Sequence, residues 1–135
     1  MTYRKAEIRP YEAADEALLF GLAKLDRGAD RRTLAVLEQE TVFVAELDGA
    51  PAGYVAVEWV GEAMRVDQLF VSPEHEAEGV GRQLLEYAEG YAISKGARAL
   101  QVVVSRRDSR ALDFYRGRGF AEVDDELLEI VLPQR

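Results

Sequence analysis

The sequence predicts a mixed α/β (α+β) domain whose central sheet has an antiparallel meander followed by a parallel crossover, with helices on both faces. Two β-rich runs are joined by Asp48-Gly49, which is typical of a tight antiparallel hairpin. Further along, an amphipathic helix leads into a buried strand, and a helix between two strands favours a parallel crossover. No repeat or linker interrupts this pattern, so we expect residues 1–135 to form a single domain.

The composition argues against several classes of function. A net charge of -8 is unfavourable for general binding to nucleic acids or anionic membranes. No apolar run approaches the roughly 20 residues of a membrane helix, and charges stand where a signal peptide has its apolar stretch. The chain has no cysteine for a disulfide framework. We therefore expect a cytoplasmic protein.

The N-terminal part predicts a short strand followed by two helices. The strand covers residues 5–9, and leucines then recur at helical spacing in two stretches. We expect the first helix to be capped near Asp15 and the second by Asp30. The leucines are Leu18, Leu22 and Leu25 in the first helix and Leu34 and Leu37 in the second.

Three β-rich runs predict the antiparallel meander. They cover residues 41–47, 52–60 and 64–71. Asp48 to Pro51 connects the first two, and Gly61 to Ala63 connects the second and third.

The second half predicts the crossover and the remaining elements. A helix begins near Val80 and ends at Gly96, which is placed for the left-handed conformation that closes helices. A buried strand over residues 99–104 follows, parallel to its neighbour. Another helix runs over about residues 109–118, capped by Asp108 and closed by Gly119; residues 120–123 and 127–132 predict one or two further strands.

A glycine-rich turn connects the third β-rich run to the first of these helices. Gly79 and Gly81 let a ligand approach the backbone closely, and the first amides of a helix are unpaired donors at its positive end. An anion fits such a turn, although a Gly-x-Gly before a helix is also an ordinary tight turn. Arginines concentrate further along, either as a solvated helix face or as a docking site for a polyanionic cofactor: Arg106, Arg107, Arg110, Arg116 and Arg118.

The order of these features resembles the GNAT family of N-acetyltransferases over most of the chain. The family's loop motif is Gln or Arg-x-x-Gly-x-Gly or Ala, and residues 76–81 read Glu-Ala-Glu-Gly-Val-Gly. Its second motif is commonly Asn-x-x-Ala-x-x-Phe-Tyr-x-x-x-Gly-Phe, matched by residues 108–120 with Asp108 first. Glu76 departs from the family's Gln or Arg, and Glu78 adds a second negative charge.

The resemblance implies that an acetyl group passes directly from acetyl-CoA to an amine. The pantetheine arm would lie along residues 69–71, beside the strand that diverges from them, with a backbone amide near Phe70 polarising the thioester. The resemblance assigns these residues to the cofactor: Leu69, Phe70, Val71, Glu76, Ala77, Glu78, Gly79, Val80, Gly81, Arg82, Asp108, Ala111, Phe114 and Tyr115.

Three residues are candidates for the chemistry, and no metal is expected. Tyr115 is the candidate acid that protonates the CoA thiolate, while Asp67 and Glu58 are candidate bases; each also fits an ordinary structural role. His75, the only histidine, is expected to be exposed in its loop. An acidic C-terminal cluster fits either attraction of a cationic acceptor or a solvated edge strand: Glu122, Asp124, Asp125, Glu126 and Glu129.

The predicted function is that of an acetyl-CoA-dependent N-acyltransferase acting on a primary amine of a small molecule, peptide or protein. The alternative is a non-catalytic CoA-binding sensor or interaction domain of the same fold, which Glu76 and Glu78 favour. A kinase-like phosphate binder is disfavoured because the chain lacks a Gly-Lys-Ser/Thr motif. A homodimer through the edge of the last strand is also an expectation.

Overall fold

A mixed sheet of seven strands forms the centre of the computed structural model, which describes residues 4–17 and 40–134. Within these residues the strand order is β1-β2-β3-β4-β5-β7-β6, and β4 and β5 form the parallel pair. The strands are β1 Glu7–Pro10, β2 Thr41–Leu47, β3 Ala50–Val60, β4 Ala63–Val71, β5 Ala99–Val103, β6 Ala121–Asp124 and β7 Leu127–Val131. Two α-helices, α1 Val80–Ser94 and α2 Ser109–Gly117, follow β4 and β5, and 3₁₀ turns cover Ala13–Asp15 and Pro73–Glu78.

The predicted meander and crossover are confirmed. β2, β3 and β4 pair antiparallel in succession, and α1 carries the chain from β4 to the parallel strand β5. The β2–β3 turn consists of Asp48 and Gly49, with φ of 53° and 80°, the two positive values that a tight hairpin turn needs. β3 therefore begins at Ala50, two residues earlier than predicted, and Pro51 is accommodated where the register shifts at Ala45/Glu46.

The core consists of two clusters on opposite faces of the sheet. Alternate residues of β2 separate them, because successive side chains of a strand point to opposite faces: Phe43 and Ala45 belong to the larger cluster, Val42 and Val44 to the smaller. Buried residues of both α1 and α2 join the larger cluster. The two predicted helices within residues 18–39, which bear on the expectation of helices on both faces, lie outside the described residues.

The two helices begin and end at the predicted signals. α1 starts after Gly79, whose φ is 82°, and Gly96 follows its end with φ of 80°. The Asp108 carboxylate caps α2 by accepting a hydrogen bond from the Ala111 amide at 3.1 Å. No described helix is long and apolar enough to cross a membrane.

Asp15 takes part in a cap with Glu12, and the body of the helix predicted to follow it lies outside the described residues. Asp15 is the third residue of a 3₁₀ turn, buried, and it accepts a hydrogen bond from the Glu12 amide at 2.8 Å. Arg9 donates to both of its oxygens at 2.8 Å and to Glu46 at 2.6 Å. The hydrogen bonds from Arg9 lower the pKa of the Asp15 carboxyl, so this network holds β1, β2 and the turn together above that pKa.

Candidate functional site

β4 and β5 separate part-way along their length and leave a gap in the sheet. Their parallel pairing runs from Met64↔Leu100 to Val66↔Val102, whereas β4 continues along β3 to Val71. A cleft of about 900 Å³ opens there, lined by residues of both strands, of the turn before α1 and of α2. The predicted divergence of these strands is present.

The backbone of β4 presents two residues to this gap. The Ser72 amide donates to the Ala52 carbonyl at 2.7 Å, in the same ladder that pairs Phe70 with Tyr54. Because successive residues of a strand direct their backbone groups to opposite sides, Phe70 faces β3 and the amides of Leu69 and Val71 face the gap. The amide predicted near Phe70 is therefore assigned to its two neighbours, and the Phe70 ring packs in the smaller core cluster.

A β-bulge brings Asp67 to the cleft. The pairing of β3 with β4 passes from Ala56↔Gln68 to Val57↔Val66, so Asp67 has no partner in the register. Asp67 lines the cleft and lies with Glu58 and Glu40 in a carboxylate group whose oxygens are within 4.8 Å of one another. The pKa of the Glu58 carboxyl is raised, first by desolvation and then by the charge and hydrogen bond of Asp67.

The glycine-rich turn closes one end of the cleft. Gly79, Gly81, Arg82 and Glu76 line it, and Glu76 is exposed. No described side chain caps the N-terminus of α1, in contrast to α2, so its first amides remain available to a ligand. This donor set suits a phosphate or pyrophosphate.

The other predicted residues of the turn do not reach the cleft surface. Val80 is fully buried in the core, and Ala77 is exposed outside the cleft lining. Glu78 pairs with Arg4 at 3.5 Å and with His75 at 2.9 Å, and none of these three residues lines the cleft. His75 is half-buried by this contact, contrary to the prediction that it is exposed.

Tyr115 lies in the wall of the cleft formed by α2. It is 8% exposed, and its ring makes edge contacts with Phe114 and Phe120 at centroid distances of 5.1 and 5.4 Å. Phe114, Ala111 and Asp108 line the same wall. The second motif thus places four of its predicted residues at the cleft and holds the phenol by aromatic packing.

Most of the predicted arginine patch has internal partners. Arg106 pairs with Asp125, Arg116 with Glu122, and Arg118 with Glu86. Arg110 and Arg82 are the two arginines that line the cleft. The acidic C-terminal cluster is partly explained by the same pairs, together with the hydrogen bond from Gln101 to Glu129 at 2.8 Å.

Several cleft residues were not predicted from the sequence. Gln68 and Ser105 line the cleft, and Glu40 completes the carboxylate group. The position of Gln68 follows from the β-bulge, which no sequence pattern marks. Glu40 lies one residue before β2, opposite Glu58 when the β2–β3 register is extended by one pair. The predicted β2–β3 hairpin could therefore have indicated that Glu40 lies beside Glu58.

Comparison with known proteins gives the same family as the motifs. The family model described as "Acetyltransferase (GNAT) family" matches residues 5–120. The chain belongs to the GNAT family. An N-acetyltransferase of uncharacterized function from Methanocaldococcus jannaschii is 30% identical over 92 residues, which cover 63% of this chain and 41% of the relative. The streptothricin acetyltransferase of Streptomyces lavendulae is 30% identical over 86 residues, or 62% of this chain and 46% of the relative.

The chain thus spans less than half the length of these two relatives. Among solved structures, a GNAT acetyltransferase from Elizabethkingia anophelis with acetyl-CoA bound has a TM-score of 0.82 and 18% identity, covering 94% of this chain and 98% of that one. At this identity the likeness establishes the fold, a GNAT sheet with its helices.

Proposed function

We propose that this GNAT protein transfers the acetyl group of acetyl-CoA to a primary amine by direct attack. One observation carries the proposal: β4 leaves β5 beyond Val66 and Val102, and the resulting cleft joins a phosphate-suited turn to a phenol and a pair of carboxylates. Each group matches one requirement of the reaction, namely binding, proton donation and proton acceptance.

The cleft offers separate partners to the two halves of the cofactor. Backbone amides of Leu69 and Val71 would hold the pantetheine arm as an added strand and polarise the thioester carbonyl. The amides of Gly81 and Arg82, at the start of α1, would hold the pyrophosphate, with the charges of Arg82 and Arg110 beside it. Acetyl-CoA supplies the activated acetyl thioester.

Asp67 and Glu58 are proposed to accept the proton that the amine loses. The negative charge of Asp67 disfavours the ionisation of Glu58. The raised pKa of Glu58 makes it a stronger base than an isolated glutamate. Asp67 lines the cleft and Glu58 does not, so the proton would enter at Asp67 or through water.

Tyr115 is proposed to donate its hydroxyl proton to the departing thiolate. A phenol has an ordinary pKa of about 10, which allows it to protonate a thiolate and recover its proton from solvent. Its burial among Phe114 and Phe120 fixes the ring in one orientation. No covalent acetyl-enzyme is required, in agreement with the absence of cysteine.

A small-molecule amine is the proposed acceptor. One relative carries a small molecule, streptothricin, in its name, which supports this class over peptides and proteins for this chain. The carboxylates beside the cleft favour an acceptor that arrives as an ammonium ion.

A two-stage experiment tests the proposal. Acetyl-CoA at about 100 times its dissociation constant should stabilise the protein by about 2.7 kcal/mol in a thermal-shift titration. A panel of small amines, peptides and proteins, assayed by release of CoA thiol, should then give turnover with small amines. Binding without thiol release on any acceptor would favour the non-catalytic alternative, and absence of binding would refute both.

A further inference from the structure

We infer that the segment before β1, Arg4 to Ala6, is part of the cofactor site. It fixes the glycine-rich turn before α1 through hydrogen bonds with the Gln83 side chain. The segment does not line the cleft; it contacts the turn and α1 through hydrogen bonds with Glu78 and Gln83. The inference rests on the proposed binding of CoA and assigns Gln83 and Glu78 as positioning residues.

Gln83 connects three pieces of backbone. Its Oε1 accepts a hydrogen bond from the Ala6 amide at 2.8 Å, and its Nε2 donates to the Arg4 carbonyl at 2.7 Å. The same Nε2 donates to the Gly79 carbonyl at 3.1 Å. The oxygen and the nitrogen of one side-chain amide are therefore both used. They bind Ala6 and Arg4, which lie 77 and 79 positions before Gln83 in the chain, and Gly79, the glycine that precedes α1.

Glu78 provides the second connection. Its carbonyl accepts a hydrogen bond from the Arg4 amide at 3.1 Å, and its carboxylate pairs with the Arg4 guanidinium and the His75 ring. The Arg4 guanidinium also pairs with Asp48 in the β2–β3 turn. The charge of Glu78 thus has a cationic partner, and neither residue lines the cleft.

These contacts bear on anion binding through the orientation of the turn. Gly79 is in the left-handed conformation, with φ of 82°, and no described side chain caps α1. A glycine turn of this kind has many accessible conformations, so fixing the Gly79 carbonyl and the Glu78 backbone reduces the entropy lost when the following amides bind a pyrophosphate. The N-terminal segment therefore preorganises the site.

The first test uses Gln83→Met, which keeps the length of the side chain and removes its hydrogen bonds. We expect calorimetry to show CoA binding about 10-fold weaker, while pantetheine, which lacks the pyrophosphate, binds as it does to the wild type. Gln134→Met is the matched control, because Gln134 also bonds backbone carbonyls, those of Ala97 and Leu132, away from the cleft; it should bind CoA normally.

Other outcomes of this test contradict the inference. Unchanged CoA affinity in Gln83→Met would refute it, and equal losses for CoA and pantetheine would indicate general damage to the cleft rather than a turn-specific role. If the wild type itself binds no CoA, the proposed function fails, which is distinguishable from failure of the inference alone.

A second pair of variants tests the inference if Gln83→Met does not fold. Glu78→Gln removes the ion pair with Arg4 and alters the contact with the His75 ring. The inference therefore requires weaker CoA binding, whereas simple repulsion of the pyrophosphate by Glu78 requires tighter binding. Glu76→Gln removes the same charge two residues away on the cleft side and should tighten CoA binding. CoA affinity in Glu78→Gln that equals or exceeds that of the wild type would overturn the inference.

Discussion

At the scale of single residues, the Tyr115 hydroxyl is the group on which catalysis should depend most. Tyr115→Phe keeps the ring contacts with Phe114 and Phe120, so the fold and the cofactor affinity should be retained. We expect kcat to fall about 100-fold, the usual contribution of a positioned general acid. Tyr87→Phe, on α1 outside the cleft lining, is the control. A kcat within twofold of the wild type would remove Tyr115 from this role.

Asp67 and Glu58 give a prediction about pH. Desolvation and the negative charge of Asp67 raise the Glu58 pKa above its ordinary value of 4.5. Asp67→Asn removes that charge but leaves the desolvation, so the Glu58 pKa should fall part of the way back. Because the base acts when it is deprotonated, the acidic limb of the kcat/KM profile should move to lower pH. Carboxyl carbon NMR of Glu58 gives the same pKa independently of turnover.

The control for this prediction is Asp124→Asn, on an exposed strand away from the cleft. Its acidic limb should coincide with that of the wild type. A shift of the Asp67→Asn limb to higher pH would contradict the assignment, since it would mean that Asp67 stabilises the ionised form of its neighbour.

The positions of residues were predictable where a motif marked them and unpredictable where a tertiary contact decides them. Tyr115 and Asp108 follow from the second motif, and both lie at the cleft. Glu78 adds negative charge beside the proposed anion site, yet Arg4, distant in sequence, pairs with its carboxylate. The direction of the Phe70 amide depends on which residue pairs of β3 and β4 are hydrogen-bonded. The alternation of backbone direction along a strand allows the amide to face either β3 or the cleft, and the sequence does not decide between them.

At the scale of the elements, Gly53 determines how closely β3, β4 and α1 pack. A Cβ at this position would lie 2.4 Å from the Phe70 carbonyl oxygen and 3.3 Å from Leu84 Cδ1. Backbone atoms cannot yield as a flexible side chain does, so Gly53→Ala should destabilise the fold by about 1–3 kcal/mol in urea unfolding. It should also weaken CoA binding, because Val71 pairs with Gly53 and faces the cleft.

Gly90→Ala makes the opposite prediction and serves as the control. A Cβ on Gly90 meets no atom within 4 Å, and the residue lies inside α1. Alanine there should stabilise the protein by about 0.5–1 kcal/mol through its higher helix propensity. If both alanine variants changed stability in the same direction, the close approach at Gly53 would not be the cause.

The elements themselves were largely predictable because their ends carry strong local signals. Asp48-Gly49, Gly96, Asp108 and Gly119 each occupy the turn or cap expected from residue type. The 3₁₀ turn at Asp15 was not predicted, since it depends on the Arg9 side chain of the neighbouring strand. The β-bulge at Asp67 was missed for a similar reason: a register shift belongs to two strands rather than to one run of residues.

At the scale of the whole molecule, positive and negative charges lie in different places, and each suits one of the two proposed substrates, acetyl-CoA and the amine. The protein carries a net charge of -8, while Arg82 and Arg110 line the cleft where the cofactor phosphates are proposed to bind. Glu40, Glu58 and Asp67 concentrate negative charge beside β4, where the amine is proposed to arrive. Local cations therefore suit the proposed anionic cofactor, and the net negative charge of the protein favours a cationic acceptor.

This arrangement predicts a dependence on acceptor charge that salt should weaken. Butane-1,4-diamine, butylamine and 4-aminobutanoate share a four-carbon chain and carry net charges of about +2, +1 and 0 near neutral pH. If the acceptor is a small amine, kcat/KM should decrease in that order, by about 10-fold across the series at low ionic strength. In 0.5 M salt the Debye length falls below about 8 Å, so the three values should converge. A reversed order, or a spread that salt does not reduce, would show that shape rather than the acidic field selects the acceptor.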